Sequence, residues 1–437
     1  MTRDETNSDR TAADHDSSDR TTRPHDIVVF GATGFVGELV AKHLAEHAPD
    51  DATIALGGRN RDKLEATRAD LPGRAADWPL VVADASSAED MRRLAESTRV
   101  VLTLVGPYAR YGHELAHACA AAGTDYVDLT GEVLFAHDSI EANHELARST
   151  GARIVHSCGF DSIPSDIGVK ALHDAADADG DGNLGETTMI VTHMRGGVSG
   201  GTVDSMRQQL RDVKASKARA RIAGTAYSLN PGMHGPGPGR QNDVPVIPRD
   251  RVFTGETGSF APFFMAPYNT RVVRRTAALL DADDHDHGYG NGFRYREVMN
   301  VGRGLKSAAR ARALKAGLGA MLGAMYFEPT AKLLDKKLPA PGEGPSAEDR
   351  ARGRFTIDVH SVTLSGKNWT SRVELDKDPG YDGTAMMISA AALALAFDRD
   401  RLPDRHGVLT PAAGIGDALV DRLREGGMSI TAGRRRS

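Results

Sequence analysis

The sequence predicts an α/β protein: a doubly wound parallel sheet followed by a second, α+β domain. Three observations carry that reading. Apolar strand-like runs and helical patterns alternate from Asp26 to about His156, the order that winds a parallel sheet through right-handed crossovers. The first apolar run, Ile27-Val28-Val29-Phe30, turns on glycines straight into a helical pattern. After Ser157 the alternation gives way to longer strands, among them a hairpin around Ser365-Gly366-Lys367-Asn368.

The expected strands of the first unit are 26–30, 53–57, 80–83, 99–104, 125–128 and 152–156, separated by helical patterns such as Gly112–Ala122 and Phe135–Thr150. In the second unit Thr187–Met194 reads as a strand and Ser205–Ala223 as a helix, followed by a loop rich in Pro and Gly at Asn230–Pro248. Phe355–Ser365 and Trp369–Leu375 form the hairpin. Gly383–Phe397 and Pro411–Glu425 are expected to be helices that pack back on the first domain, and Arg434-Arg435-Arg436 a frayed end. The expected division is a tail at 1–25, a first domain at 26–156, a second at 157–380 and C-terminal helices at 381–437. Residues 1–25 are rich in Asp, Arg, Thr and Ser; they have no apolar face to order them and no apolar core of a signal peptide.

At 437 residues and 40% hydrophobic content, the chain is long enough for two domains or one elaborated unit. A net charge of −5 argues against nucleic acid as a partner. Cys119 and Cys158 are too few for a disulfide framework and lack metal-ligand spacing, so a reducing, cytoplasmic setting is expected. No run approaches the roughly 20 apolar residues of a membrane span. Ala316–Phe327 is apolar enough for a core helix or one lying on a membrane, with Lys306, Arg310, Arg312 and Lys315 before it; burial is the expectation. Asp281-Ala282-Asp283-Asp284-His285-Asp286-His287 reads as a solvated loop, and no metal is expected.

The run Phe30-Gly31-Ala32-Thr33-Gly34-Phe35-Val36-Gly37 has the chemistry of a phosphate cradle. Gly31 permits the tight turn, Gly34 lets the backbone approach a pyrophosphate, and Gly37 lets helix pack on strand. Thr33, Phe35 and Val36 complete a loop whose helix N-terminus offers N–H groups and partial positive charge. The spacing is GxxGxxG, so the flanking strand and helix matter as much as the glycines. The second strand ends in Gly57-Gly58-Arg59, without the acid that holds a ribose 2′-hydroxyl. A guanidinium there suits a 2′-phosphate, so Arg59 is expected to select NADP(H), with Asp84 meeting the adenine edge.

At the fourth strand end, Gly106 permits close approach to a nicotinamide and Pro107 starts the next helix. Tyr108 and Tyr111 either flank the hydride-transfer site as hydrogen-bond donors or pack at the domain seam. Thr130 and Glu132 look like a helix cap, His156 like a hydrogen-bonded structural residue, and Cys158 lacks a base partner. Gly159, Asp161 and Pro164 suggest a shaped turn lining the nicotinamide side. Ser199-Gly200-Gly201-Thr202 opens a helix as a substrate cradle or an ordinary cap. No Tyr-x-x-x-Lys pair occurs, so the proton relay of short-chain dehydrogenases is missing.

Taken in order, the glycine loop, Val105-Gly106-Pro107-Tyr108, Tyr126–Glu132, Gly159–Asp166, Ser199–Thr202, Ala261–Ala266 and Pro341–Pro345 resemble the saccharopine dehydrogenase-like oxidoreductases, a family that includes trans-acting enoyl reductases of mycobacterial lipid synthesis. The loop departs slightly, with Phe35-Val36 where the family often has an aromatic residue followed by Thr. The resemblance implies a Rossmann domain that binds NADP(H) and a lipid or polyketide-type acyl substrate; the substrate expected here is an enoyl thioester held by a carrier or synthase. Two alternatives stay open. One is an amino-acid or imine dehydrogenase using Arg195, Arg271 or Arg274; the other is a membrane-associated, non-catalytic NADPH-binding protein.

Overall fold

The chain builds two seven-stranded sheets among its described residues. The computed structural model describes residues 22–196, 200–235, 241–282, 288–327, 329–330 and 344–435. The tail at 1–21 and the His285 region at 283–287 lie outside the described residues. The first sheet contains β1 (His25–Phe30), β2 (Ile54–Gly58), β3 (Leu80–Val82), β4 (Thr98–Thr103), β5 (Asp125–Val127), β6 (Arg153–Val155) and β13 (Gly407–Leu409). All are parallel, in the order β13-β6-β5-β4-β1-β2-β3. The order in which strands are added reverses between β1 and β4, where Ile27 pairs with both Ile54 and Val100. A ligand crevice belongs at the carboxyl ends of those two strands.

The strands inside the sheet hold this register because their runs are buried on both faces, as a parallel sheet covered by helices requires, while β3 at the edge is partly exposed. The crossovers are α1 (Phe35–His47), α2 (Arg61–Ala69), α3 (Ala88–Glu96), a short α4 (Tyr108–Tyr111) with α5 (His113–Ala122), and α6 (Val133–Thr150). Asn60 and Ser87 cap α2 and α3 through bonds from the Lys63 and Asp90 N–H groups.

The second sheet takes the order β14-β12-β11-β7-β10-β9-β8. Its strands are β7 (Leu184–Arg195), β8 (Ile247–Pro248), β9 (Ser259–Pro262), β10 (Arg294–Met299), β11 (Arg354–Thr363), β12 (Asn368–Leu375) and β14 (Ser429–Arg434). Only the β7–β10 pair runs parallel. Helix α7 (Ile163–Asp177) packs on β11, β12 and β14, where a Cβ at Gly168 would lie 3.1 Å from Val359 Cγ2.

The remaining helices are α8 (Gly200–Ala215), α9 (Lys217–Gly224), α10 (Ala266–Asp281), α11 (Gly304–Tyr326), α12 (Ala347–Ala351), α13 (Asp382–Phe397), α14 (Pro411–Gly414) and α15 (Asp417–Glu425). α13 is apolar around its whole circumference and is buried against α1 and the first sheet.

Several expectations change. The helix expected over Ser205–Ala223 begins at Gly200 and breaks at Ser216, whose hydroxyl caps α9 by accepting from Arg219 N–H. Ala316–Phe327 is not a core helix: only Ser307 and Ala311 of α11 are buried, and Phe327 just beyond it is 65% exposed. Leu318, Met321 and Leu322 share one face with Ser307 and Ala311, but over that stretch the face fronts a cavity instead of a packed core. The chain end is not frayed at Arg434, which pairs with Trp369 in β14. The segment after 381 also supplies β13 to the first sheet and β14 to the second.

Candidate functional site

The glycine turn packs as tightly as its sequence implies. Gly31 sits at φ +95°, a conformation L side chains rarely adopt, and a Cβ at Gly37 would lie 2.2 Å from the Gly31 carbonyl oxygen. At Gly34 the nearest atom would be 3.5 Å from an added Cβ, so this face of the turn remains open. A Cβ at Gly31 would meet Val105 Cγ2 at 3.0 Å, which puts the ends of β1 and β4 side by side. A cradle of this shape fits a dinucleotide phosphate at the start of α1. Thr33 is in the same turn and is half-buried.

Gly57 and Gly58 are buried at the end of β2, and Arg59 is exposed immediately beyond them. Asp84 is exposed after β3; its carboxyl is held below the usual range chiefly by the Ser86 N–H at 2.8 Å, with Arg59 contributing. Arg59 and Asp84 therefore share one edge of the crevice.

A cavity of about 540 Å³ opens from the turn toward the second sheet. Gly31, Gly34, Phe35, Val36 and Gly37 line it from β1 and α1; Leu104, Gly106, Pro107 and Tyr108 come from the β4 end. Opposite stand Met194, Phe264, Met265, Tyr268 and, from α11, Leu318, Met321 and Leu322. Gly200 and Gly201 reach it from the first turn of α8; Ser199 and the Thr202 side chain lie outside the described residues. Among the described residues that line it, Asp161 and Asp204 carry carboxyls and none is basic.

The two tyrosines part company. Tyr108 lines the cavity, but its hydroxyl donates to the Thr103 carbonyl at 3.2 Å and accepts from Leu129 N–H at 3.1 Å. Burial pushes that phenol well above its ordinary value. Tyr111 is not among the lining residues; the Arg110 guanidinium sits 5.0 Å from its ring centroid.

Glu132 proves to be a cap for a different helix from the one its position indicates. Its carboxylate accepts from Tyr108 N–H at 2.9 Å and Ala109 N–H at 2.8 Å, so it caps α4, and Ser205 of α8 donates to it at 2.6 Å. Nothing local signals this, because the capped N–H groups stand more than twenty residues earlier in the chain. Asp128 gathers the loop beneath: it accepts from His156 Nδ1 at 2.7 Å, Tyr126 hydroxyl at 3.0 Å and Ser157 N–H at 2.9 Å. His156 Nε2 also meets Ser139 at 2.9 Å, so the ring is a buried structural member. Burial pushes the Cys158 thiol well above its ordinary range. Tyr268, which no local pattern marked, shares a hydrogen with Ser157 at 2.5 Å.

Arg271 and Arg274 do not form a carboxylate pocket. Both are buried and paired with Asp243, at 3.0 Å and 2.9 Å. Arg195 is exposed at the end of β7.

Residues 27–155 match the family described as the saccharopine dehydrogenase NADP binding domain. The chain is 42% identical over 421 residues to a trans-acting enoyl reductase of Mycobacterium ulcerans, spanning 94% of this chain and 98% of that one. It is 41% identical over 413 residues to a trans-acting enoyl reductase of Mycobacterium tuberculosis, spanning 93% and 97%. Another Mycobacterium tuberculosis protein, given the same name provisionally, is 45% identical over 416 residues, spanning 94% and 98%. Among solved structures, the apo saccharopine dehydrogenase (L-Glu forming) of Saccharomyces cerevisiae is 13% identical with a TM-score of 0.48, covering 94% of this chain and all of that one. No helix among the described residues is long and apolar enough to cross a membrane. The chain belongs to the saccharopine dehydrogenase-like, NADP(H)-dependent oxidoreductases, in the group that holds the trans-acting enoyl reductases.

Proposed function

We propose that this oxidoreductase reduces the carbon–carbon double bond of an enoyl thioester carried in by a separate synthase or carrier. The observation that supports this most is the cavity itself: it runs from the glycine turn between apolar walls, with no basic side chain among its described lining residues. A free amino acid or keto acid needs a cation for its carboxylate, and the buried Arg271 and Arg274 are spent on Asp243. An acyl chain needs apolar walls of the kind that Met194, Phe264 and Leu318 supply.

In this reading Gly31, Thr33, Gly34, Phe35, Val36 and Gly37 hold the pyrophosphate, Arg59 the 2′-phosphate and Asp84 the adenosine edge. Gly106 and Pro107 give the nicotinamide its floor. Bound NADPH supplies hydride for the substrate's β-carbon. Backbone N–H groups at Gly200 and Gly201, in the first turn of α8, stabilise the enolate oxygen that develops. Tyr108 positions the β4 and β5 ends through its two bonds, and Tyr111 stays outside the reaction.

The test is NADPH oxidation by the purified protein with trans-2-enoyl thioesters of graded length, beside 2-oxo acids plus ammonia. Turnover with the thioesters alone is expected. Turnover confined to the oxo acids would replace this reading with an imine dehydrogenase. α11 exposes Leu305 and Leu314 among Lys306, Arg310, Arg312 and Lys315, and Phe327 just beyond it is exposed too; sedimentation with anionic vesicles tests whether this helix meets lipid.

A further inference from the structure

Asp161 has a place in the cavity wall and no task in the fold. Its carboxyl makes no hydrogen bond or ion pair with any described residue. It stands just before Ser162, the N-cap of α7, and neither side chain caps that helix.

The loop that carries Asp161 is nonetheless firmly held. Cys158 N–H donates to the Asp128 carbonyl at 2.7 Å, and Phe160 N–H to Thr384 Oγ1 at 3.1 Å. Ser162 Oγ donates to Asn269 Oδ1 at 3.3 Å, while the Phe160 ring packs on Phe355 at 4.9 Å. With both neighbours pinned, the side chain between them is presented to the cavity. A Cβ at Gly131, at the β5 end, would lie 3.8 Å from Asp161 Oδ2, so the carboxyl reaches the strand ends on the nicotinamide side.

Protein surrounds Asp161 except on the cavity side, and burial alone pushes its carboxyl up to about 6, with no neighbouring charge contributing. A desolvated carboxyl that nothing in the fold offsets is a mark of a functional group. The phenols in the wall are worse acids near neutrality. Tyr108 and Tyr268 have engaged hydroxyls that burial pushes well above the ordinary phenol value, and burial raises Tyr381 too. Asp204, on α8, differs from Asp161 in having an ion-pair partner, Arg207 at 3.9 Å.

The geometry points to Asp161 as the general acid that delivers a proton to the substrate's α-carbon. This rests on the enoyl-reduction reading above. In that step the carbon–carbon π bond breaks and one C–H bond forms at each carbon, the two electrons coming from NADPH, which leaves as NADP⁺. Asp161 passes from carboxylic acid to carboxylate and takes a proton back from solvent through the open cavity.

Asp161→Asn keeps the shape and removes the acid. NADPH affinity, read by fluorescence titration, should stay within about twofold, while single-turnover reduction of an enoyl thioester falls by about 100-fold or more. The wild-type rate should decline as pH rises above about 6, the Asn variant should lose that decline, and Asp161→Glu should restore part of the rate. Infrared difference spectra across the same range give a readout independent of turnover: a protonated-carboxyl band that fades with rising pH in the wild type and is missing from the Asn variant.

An Asn variant with wild-type rate and pH profile would overturn the assignment and leave the enoyl-reduction reading standing. A variant that loses NADPH affinity or melts lower in step with its rate would show a structural role instead. A wild-type protein that binds NADPH but reduces no thioester would defeat the reaction and this acid together.

Discussion

Single residues separate cofactor choice, scaffold and chemistry. Arg59 is exposed beyond a strand end that carries glycines instead of an acid. Arg59→Ala should weaken NADPH by about 10- to 100-fold, the size of one or two charge-assisted bonds, and leave NADH nearly unchanged. Equal losses for both cofactors in fluorescence titration would remove Arg59 from the 2′-phosphate site. Tyr108 is a contrasting case, since its hydroxyl ties Thr103 to Leu129. Tyr108→Phe should cost about 1–3 kcal/mol in urea unfolding, because a buried carbonyl and N–H lose their partner. Its rate should fall far less than the about 100-fold expected for loss of a general acid. The sequence marked Tyr108 by its place after β4; that its hydroxyl is engaged depends on Leu129, which lies on another strand end.

At the scale of elements, α11 matters because it covers without being covered. Leu318, Met321 and Leu322 line the cavity from a helix whose other faces are open. Each acyl CH₂ taken from water contributes about 0.8 kcal/mol, so this wall should matter more as the chain lengthens. Leu318→Glu with Met321→Glu should raise KM at least about tenfold for long enoyl thioesters and leave short ones little changed. Equal KM values across the series would place the acyl path elsewhere. The segment's composition was legible as apolar, but its burial was not, since an apolar patch can face a core, a membrane or a ligand cavity. The capping of α4 by Glu132 was hidden for a related reason: donor and acceptor belong to different crossovers.

Across the whole molecule, the two sheets are joined by buried polar groups that titrate. Asp166 on α7 accepts from Thr276 of α10 at 2.5 Å and from Ala412 N–H of α14 at 2.8 Å. Glu297 on β10 accepts from Tyr295 hydroxyl at 3.0 Å and Asn269 at 3.1 Å. Burial pushes both carboxyls up to about 7 despite those bonds. A raised folded-state value means that the protonated form is favoured by folding. The contribution is full below the unfolded value near 4.5 and is lost as pH rises to about 7. For Glu297 the change is about 3 kcal/mol. Glu297→Gln should therefore lose less stability than the wild type between about pH 5 and about pH 7.5, as read by urea unfolding at each pH. Parallel slopes for the two proteins would mean that Glu297 stays in one protonation state.

What the sequence determined by itself was the alternation that winds β1 to β6, the glycine turn into α1, the missing acid after β2 and the hairpin of β11 and β12. These are local matters: period, steric freedom at a turn, and charge at a strand end are written in adjacent residues. The tertiary structure alone decided the rest. β13 is three residues long, too short for a pattern, and joins the first sheet only because β6 offers an open edge. β14 completes the second sheet from the far end of the chain. Asp161 was visible as part of a shaped turn, but its lack of a partner is a property of every element packed around it. A free carboxyl facing an apolar cavity can be recognised only once the walls are in place.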